Sequence, residues 1–170
     1  MQQQVHAGCS GRISGWSCVT PDVNVLIAGF RYEHPHHVKA RDWLLTACAQ
    51  SAATGVGAVQ SSGTLRLITH VMASFLRLVT NARVFATPAQ TQQAIAFLDA
   101  LLASPGVAIL DTSSNWPALR QLCLEKNLSA NAIPDAMIVA AVVQNKEVLA
   151  TFDRAFLRLL PPHRLQLLVN

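Results

Sequence analysis

The chain has 170 residues, 51% of them hydrophobic, enough for one sizeable core and too much for a disordered regulator. Thirteen basic against nine acidic residues leave a net charge of +4, a mild excess that suits an anionic partner such as nucleic acid without specifying one. No stretch reaches the ~18–20 uninterrupted apolar residues that span a bilayer, and the first residues lack the apolar core of a secretory signal, so a cytoplasmic protein with no membrane association is expected. Cys9, Cys18, Cys48 and Cys123 are scattered without zinc-ligand spacing and read as buried free thiols.

The first 18 residues are rich in Gly, Ser and Gln and carry no hydrophobic period. They read as an extension outside the domain, either a genuine tail or sequence upstream of a start near Val19. Residues 19–170 form the folded unit. An extended run over 18–21 ends at Asp22, and a helix follows over 24–30. Pro35 opens a second helix to about residue 50, with Val38, Trp43, Leu44 and Cys48 expected inward. Residues 51–63 read as a surface loop. A short alternating strand over 65–69 leads into a helix over 70–79, with Val71, Phe75, Leu78 and Val79 near one face. Thr87 and Pro88 supply a cap and a first-turn proline for a helix to Ala103, stopped by Ser-Pro-Gly. An apolar strand follows over 107–110, then a helix over 114–126 capped by Ser114. Pro134 starts the last long helix, to about Gln144. A strand over 147–152, a helical turn over 154–160 and a final strand over 165–169 complete the chain. Strands separated by helices predict an α/β/α sandwich around a mainly parallel sheet.

In such a sheet ligands bind beyond the carboxyl ends of the strands, and three of the nine acids fall there. Asp22 sits where the first strand ends, Asp153 where the strand VLATF ends, and Asp135 in the first turn of the helix opened by Pro134. Taken singly, each is explained as a helix cap or dipole partner. Together at one rim they form a self-repelling carboxylate cluster that a cation would neutralise. Oxygen-only ligands select hard ions, Mg²⁺ or Mn²⁺, which accept phosphate oxygens and help aim a hydroxide at a phosphodiester.

The same segments carry a family resemblance. Asp22, Asn24, Val25 and Leu26 are similar to the D-x-N-V-L opening of PIN-domain proteins, especially VapC-type toxins. Residues 75–85 (FLRLVTNARVF) resemble the F-L-R-x-x-T-N-x-R-V-F segment of one VapC branch. Pro134, Asp135 and Ala136 match the family's P-D-A, and residues 151–156 its T-x-D-x-x-F. The motifs stand in family order from about Val19 onward. The resemblance implies a PIN fold, an endoribonuclease dependent on Mg²⁺ or Mn²⁺ that acts on cellular RNA, a homodimer, and inhibition by a small VapB-like antitoxin. It assigns Asp22, Asp135 and Asp153 as catalytic metal ligands, with Asn24 and Thr151 as polar neighbours shaping the site. The chain departs from the pattern once. Most PIN nucleases carry a further acid just before F-L-R, where this chain has Ser74. That removes one negative charge and weakens the expected hold on a metal. Asp42 and Glu33 are the nearest acids that would replace it, and neither is favoured.

Arg77 and Arg154 are candidate phosphate contacts, with pairing to a carboxylate as the alternative for Arg77. Arg83 reads as a solvated helix residue, and His34, His36 and His37 as a solvated loop without metal-ligand spacing. His70 reads as a surface or capping residue, and Trp43 and Trp116 as core or interface. No Gly-rich phosphate loop and no Ser-His-acid set is present. Two alternatives to an active toxin ribonuclease stay open: a catalytically weakened PIN-fold module that binds RNA or a partner, and an unrelated α/β protein whose aspartates only cap helices.

Overall fold

The computed structural model describes residues 18–54 and 65–169. The expected N-terminal extension lies outside the described residues except for Cys18. Strand β1, Val19–Pro21, and strand β4, Val148–Thr151, run parallel with Pro21 opposite Ala150. Strand β5, Leu165–Leu167, pairs parallel on the far side of β4. Strands β2, Arg66–Leu67, and β3, Ala108–Ile109, form a second parallel pair. A bridge from Val19 to Leu65 joins the two. The resulting order, β3-β2-β1-β4-β5, is parallel throughout, as the alternation of helix and strand predicts. Val19, Leu65, Leu67, Leu149 and Ala150 are buried, the near-continuous apolar character of a sheet covered on both faces.

The helices divide by connection. Those between β1 and β3 are α1 (Val23–Phe30), α2 (His37–Thr54), α3 (Thr69–Val79) and α4 (Thr91–Leu102). They pack in sequence, α1 on α2 and α3, and α3 on α4. Helices α5 (Trp116–Lys126) and α6 (Ala132–Gln144) follow β3 and pack on each other, with α6 also against β4. Because the chain moves outward through β2 and β3 and then jumps back past β1 to β4, right-handed crossovers place the two sets on opposite faces. Phe30, Phe75 and Phe97 form the aromatic centre of the larger layer, Phe30 and Phe75 meeting edge to face with centroids 5.4 Å apart.

Several local expectations are corrected. Val38 is 71% exposed although Leu44 beside the same core is buried, so the inward stripe of α2 starts one turn later than its hydrophobic pattern implies. The proline-opened helix at residue 88 is absent: Ala89 donates its backbone N–H to Val79, which ties the segment to the end of α3. Helix α4 begins at Thr91 instead, with a reciprocal cap between Gln90 and Gln93. Ser51 belongs to α2 rather than a loop. It is buried, donates to Ala47 and accepts from the backbone N–H of Leu65, joining the end of α2 to the start of β2. The rest of the expected loop, residues 55–63, lies outside the described residues. Asn115, not Ser114, stands at the start of α5.

Candidate active site

Strand β1 is where the chain order reverses, since its neighbours lead in opposite directions along the sheet. The crevice beyond its carboxyl end is the topological switch point at which open α/β sheets bind ligands. Asp22 fills that position. Its backbone N–H bonds Ala150 O at 2.9 Å, extending the β1–β4 ladder by one residue and bringing Asp22 beside Thr151.

The side chain of Asp22 is only 3% exposed. Its Oδ1 accepts the Val23 N–H at 2.6 Å, and its Oδ2 accepts from Asn24 Nδ2 at 2.6 Å and Thr151 Oγ1 at 2.8 Å. Thr151 Oγ1 also accepts from Asn24 Nδ2 at 2.9 Å and from the Asp153 N–H at 3.0 Å. Asn24 Oδ1 accepts the Phe152 N–H at 3.1 Å. Asn24 and Thr151 therefore bind the start of α1 to the end of β4 and fix both carboxylate-bearing segments. Asp22 also caps α1, and Asp153 caps the 3-10 turn Arg154–Arg158 by accepting from Ala155 N at 2.7 Å. The structural roles open to these acids are thus real, and the convergence of the residues is the additional fact.

Electrostatics record that convergence. The Asp22 carboxyl is raised from an ordinary 3.8 to about 6, chiefly by burial, against the lowering effect of Thr151 and Val23 and with smaller upward contributions from the charges of Asp135 and Asp153. Asp135, half-buried in the first turn of α6, is also pushed up, first by burial and then by Asp153. The three acids share one field at one rim. Among the described residues no group of three His, Cys, Asp or Glu side chains is placed to hold an ion as a single ligand set. The donors are all oxygens, and Mg²⁺ keeps several waters and takes only one or two carboxylates directly, so these residues fit a hydrated hard cation.

The remaining candidates lie further out. Arg154 is exposed at the turn that follows Asp153. Ser74 is half-buried on α3 and Arg77 exposed in its last turn, and neither bonds to the carboxylates. The alternative pairing of Arg77 is not found among the described residues, whose ion pairs include Arg31 with Glu33, Arg41 with Asp42, and Arg66 with Glu147. Glu33 and Asp42 are occupied there and do not join the site. The histidine loop is less free than its sequence suggests. The His36 ring stacks at 4.5 Å and 9° on Phe152, the residue that separates Thr151 from Asp153 in sequence, and the His36 backbone N–H bonds His34 Nδ1. His37 Nδ1 lies 2.9 Å from Ala28 O. No spacing rule signals that stack, because it joins residues 36 and 152.

Residues 19–159 match the family model described as PIN domain. The chain is 36% identical over 140 residues to Ribonuclease VapC25 of Mycobacterium tuberculosis, covering 81% of this chain and 89% of that one. It is 34% identical over 138 residues to Ribonuclease VapC31 of the same species, with the same two coverages. Among solved structures it resembles VapBC2 from Rickettsia felis bound to a promoter DNA fragment, with TM-score 0.56 and 17% identity over 87% of this chain and 96% of that one. It also resembles VapC20 of Mycobacterium tuberculosis, a sarcin-ricin loop cleaving toxin, with TM-score 0.54 and 13% identity over 83% and 94%.

Proposed function

The chain belongs to the PIN-domain family, among relatives that are VapC ribonucleases, and we propose that it is a metal-dependent endoribonuclease, the toxin half of a toxin–antitoxin pair. The observation that carries this reading is the buried Asp22 carboxylate sharing its field with Asp135 and Asp153 at the switch point of the sheet. A structural cap has no need of two further carboxylates that oppose its ionisation. A divalent cation, Mg²⁺ or Mn²⁺, when bound, supplies the positive charge that holds these acids ionised and polarises a phosphodiester.

The chain's own residues prepare that site. Val23, Asn24 and Thr151 fix both oxygens of Asp22, so little reorganisation is needed when substrate arrives. The amino-terminal end of α6 favours the ionised form of Asp135 against its burial. Arg154, exposed beside Asp153, is positioned for a phosphate of the RNA backbone. We assign Asp22, Asp135 and Asp153 as the catalytic and metal-binding residues, with Asn24 and Thr151 as positioning residues. A VapB-like antitoxin as inhibitor is supported by the likeness of the fold to a VapBC complex, and a homodimer and a cytoplasmic location complete the proposal. No described helix is long and apolar enough to cross a membrane.

Ser74 motivates one competing reading, a PIN-fold module that binds RNA or a partner and no longer cuts. Purified, antitoxin-free protein incubated with total bacterial RNA separates the two. Discrete fragments with Mg²⁺ or Mn²⁺, lost with EDTA and in Asp135→Ala, are expected. Intact RNA from a folded protein would refute the nuclease and favour the binding module.

A further inference from the structure

A second cavity, of about 190 Å³, opens on the same rim of the sheet. Its walls come from Ile68 after β2, the 112–113 segment after β3, the start of α5, and Met137 and Ala140 of α6. Helix α6 also carries Asp135, two residues before Met137, so one helix serves both places. Since β2 neighbours β1, the cavity stands roughly 10 Å, about two strand spacings, from the Asp22 crevice.

Two polar residues on its wall are incompletely used. Asn115 is 8% exposed, and its Oδ1 is buried with no hydrogen-bond partner. His70, expected at the surface or as a cap, is half-buried, and its Nε2 is likewise buried and unpartnered. Such groups in a folded protein call for an explanation. No lining residue is Lys, Arg, Asp or Glu, so the cavity is unsuited to a phosphate or any other ion, while Ile68, Met137 and Ala140 give it apolar walls. At about 30 Å³ of liquid per water, the space exceeds one bridging molecule, yet it is below the ~300 Å³ of ordinary ligand pockets. It takes a single small ring system. Trp116, expected in a core or interface, is 68% exposed on the lining, with its indole available for stacking.

We propose that this cavity is a subsite for one uncharged nucleobase of the RNA, next to the scissile phosphate. Rotation of the Asn115 and His70 side chains brings their buried, unpartnered atoms to the cavity. There an N–H of the base edge donates to Asn115 Oδ1, a neighbouring group pairs with His70, and Trp116 covers the exposed face. Asn115 Oδ1 only accepts, whereas neutral His70 offers one donor and one acceptor position, so the pair discriminates among base edges. The subsite rests on the ribonuclease reading and adds to it a nucleotide preference beside the cut.

The test is ¹⁵N NMR of the full chain in EDTA, titrated separately with adenosine, guanosine, cytidine and uridine, and with ribose 5-phosphate. Trp116→Ala assigns the Trp116 indole signal. We expect at least one nucleoside to move that signal saturably without moving Trp43, ribose 5-phosphate to leave it still, and Asn115→Ala to weaken the response about tenfold. In parallel, Trp116→Ala should cut total RNA at a changed set of sequences. No nucleoside response up to about 10 mM, beyond the roughly millimolar Kd of a base that stacks and makes two hydrogen bonds, overturns the subsite. So does an equal or stronger response to N-acetylphenylalaninamide, which would assign the cavity to a protein partner's side chain. If the wild type still cuts RNA in either case, the ribonuclease reading survives alone. Nucleoside binding by a chain that cuts no RNA would leave the subsite and refute the nuclease.

Discussion

Replacing Asp22 by Asn should make the metal-free protein more stable at neutral pH. The Asp22 carboxyl is raised from 3.8 to about 6 chiefly by burial, and each pKa unit corresponds to about 1.36 kcal/mol, so its ionised form opposes folding by about 3 kcal/mol. Asn carries no charge to desolvate. It does place an NH₂ where Asp22 Oδ2 accepts from both Asn24 and Thr151. Thr151 can turn to accept, but Asn24 cannot, and that loss returns about 1 kcal/mol. A net gain of about 2 kcal/mol remains, worth about 4–8 °C in Tm for a chain of this size. The pH dependence has a fixed sign. The folded-state pKa lies above the unfolded one, so the folded chain keeps its proton longer, and wild-type stability falls as pH rises from about 4 to about 6 and is level above. The advantage of Asp22→Asn should open across that window and be absent or slightly reversed at about pH 4. Urea unfolding of both proteins in EDTA from about pH 4 to 8 measures it, and saturating Mg²⁺ should close the gap by stabilising only the wild type. A variant no more stable than wild type above about pH 7, or a gap that ignores pH, would refute the account of Asp22 as a buried, strained carboxylate.

Mg²⁺ affinity, followed by calorimetry, should strengthen as pH rises through about 6, because protonated Asp22 and Asp135 cannot ligate; a flat profile would place the ion elsewhere. Thr20→Val should lower stability by about 1–3 kcal/mol in urea, since Glu147 is 2% exposed, its pKa is raised by burial, and the Thr20 hydroxyl is its buried donor. An unchanged midpoint would show that the pair contributes nothing. Gly106→Ala should cost about 2–3 kcal/mol: the residue sits at φ +77°, and a Cβ there would lie 2.3 Å from Ser51 O, a backbone atom that cannot swing aside. Wild-type stability in that variant would mean the turn after α4 is free to rearrange.

The parallel α/β architecture was legible because helical and extended patterns alternate along the chain, and Asp22, Asp135 and Asp153 stood out because each follows a strand or opens a helix. Their hydrogen bonds were not legible. The contact of Asn24 with Thr151 joins residues far apart in sequence, and only the pairing of β1 with β4 decides it. Val38 and Pro88 misled for the opposite reason. Both obey local helical rules, while the tie of Ala89 to Val79 and the packing of α2 on α1 settle where the helices face and begin. Of the two places expected for Trp116, core or interface, its 68% exposure removes the core, and a single helix pattern does not contain what α5 and α6 leave open.

The strand order β3-β2-β1-β4-β5 also governs when the site comes into being. Asp22 directly follows β1, while Thr151 ends β4, a strand made after β3 and laid beside β1, and Asp153 follows it. A growing polypeptide can assemble the β1–β2–β3 half early, since those contacts are closer in sequence. Until residues beyond 147 leave the ribosome, that half has Asp22 but neither its Thr151 clamp nor Asp153. Docking of β4 on β1 is therefore the folding step that brings Thr151 and Asp153 to Asp22.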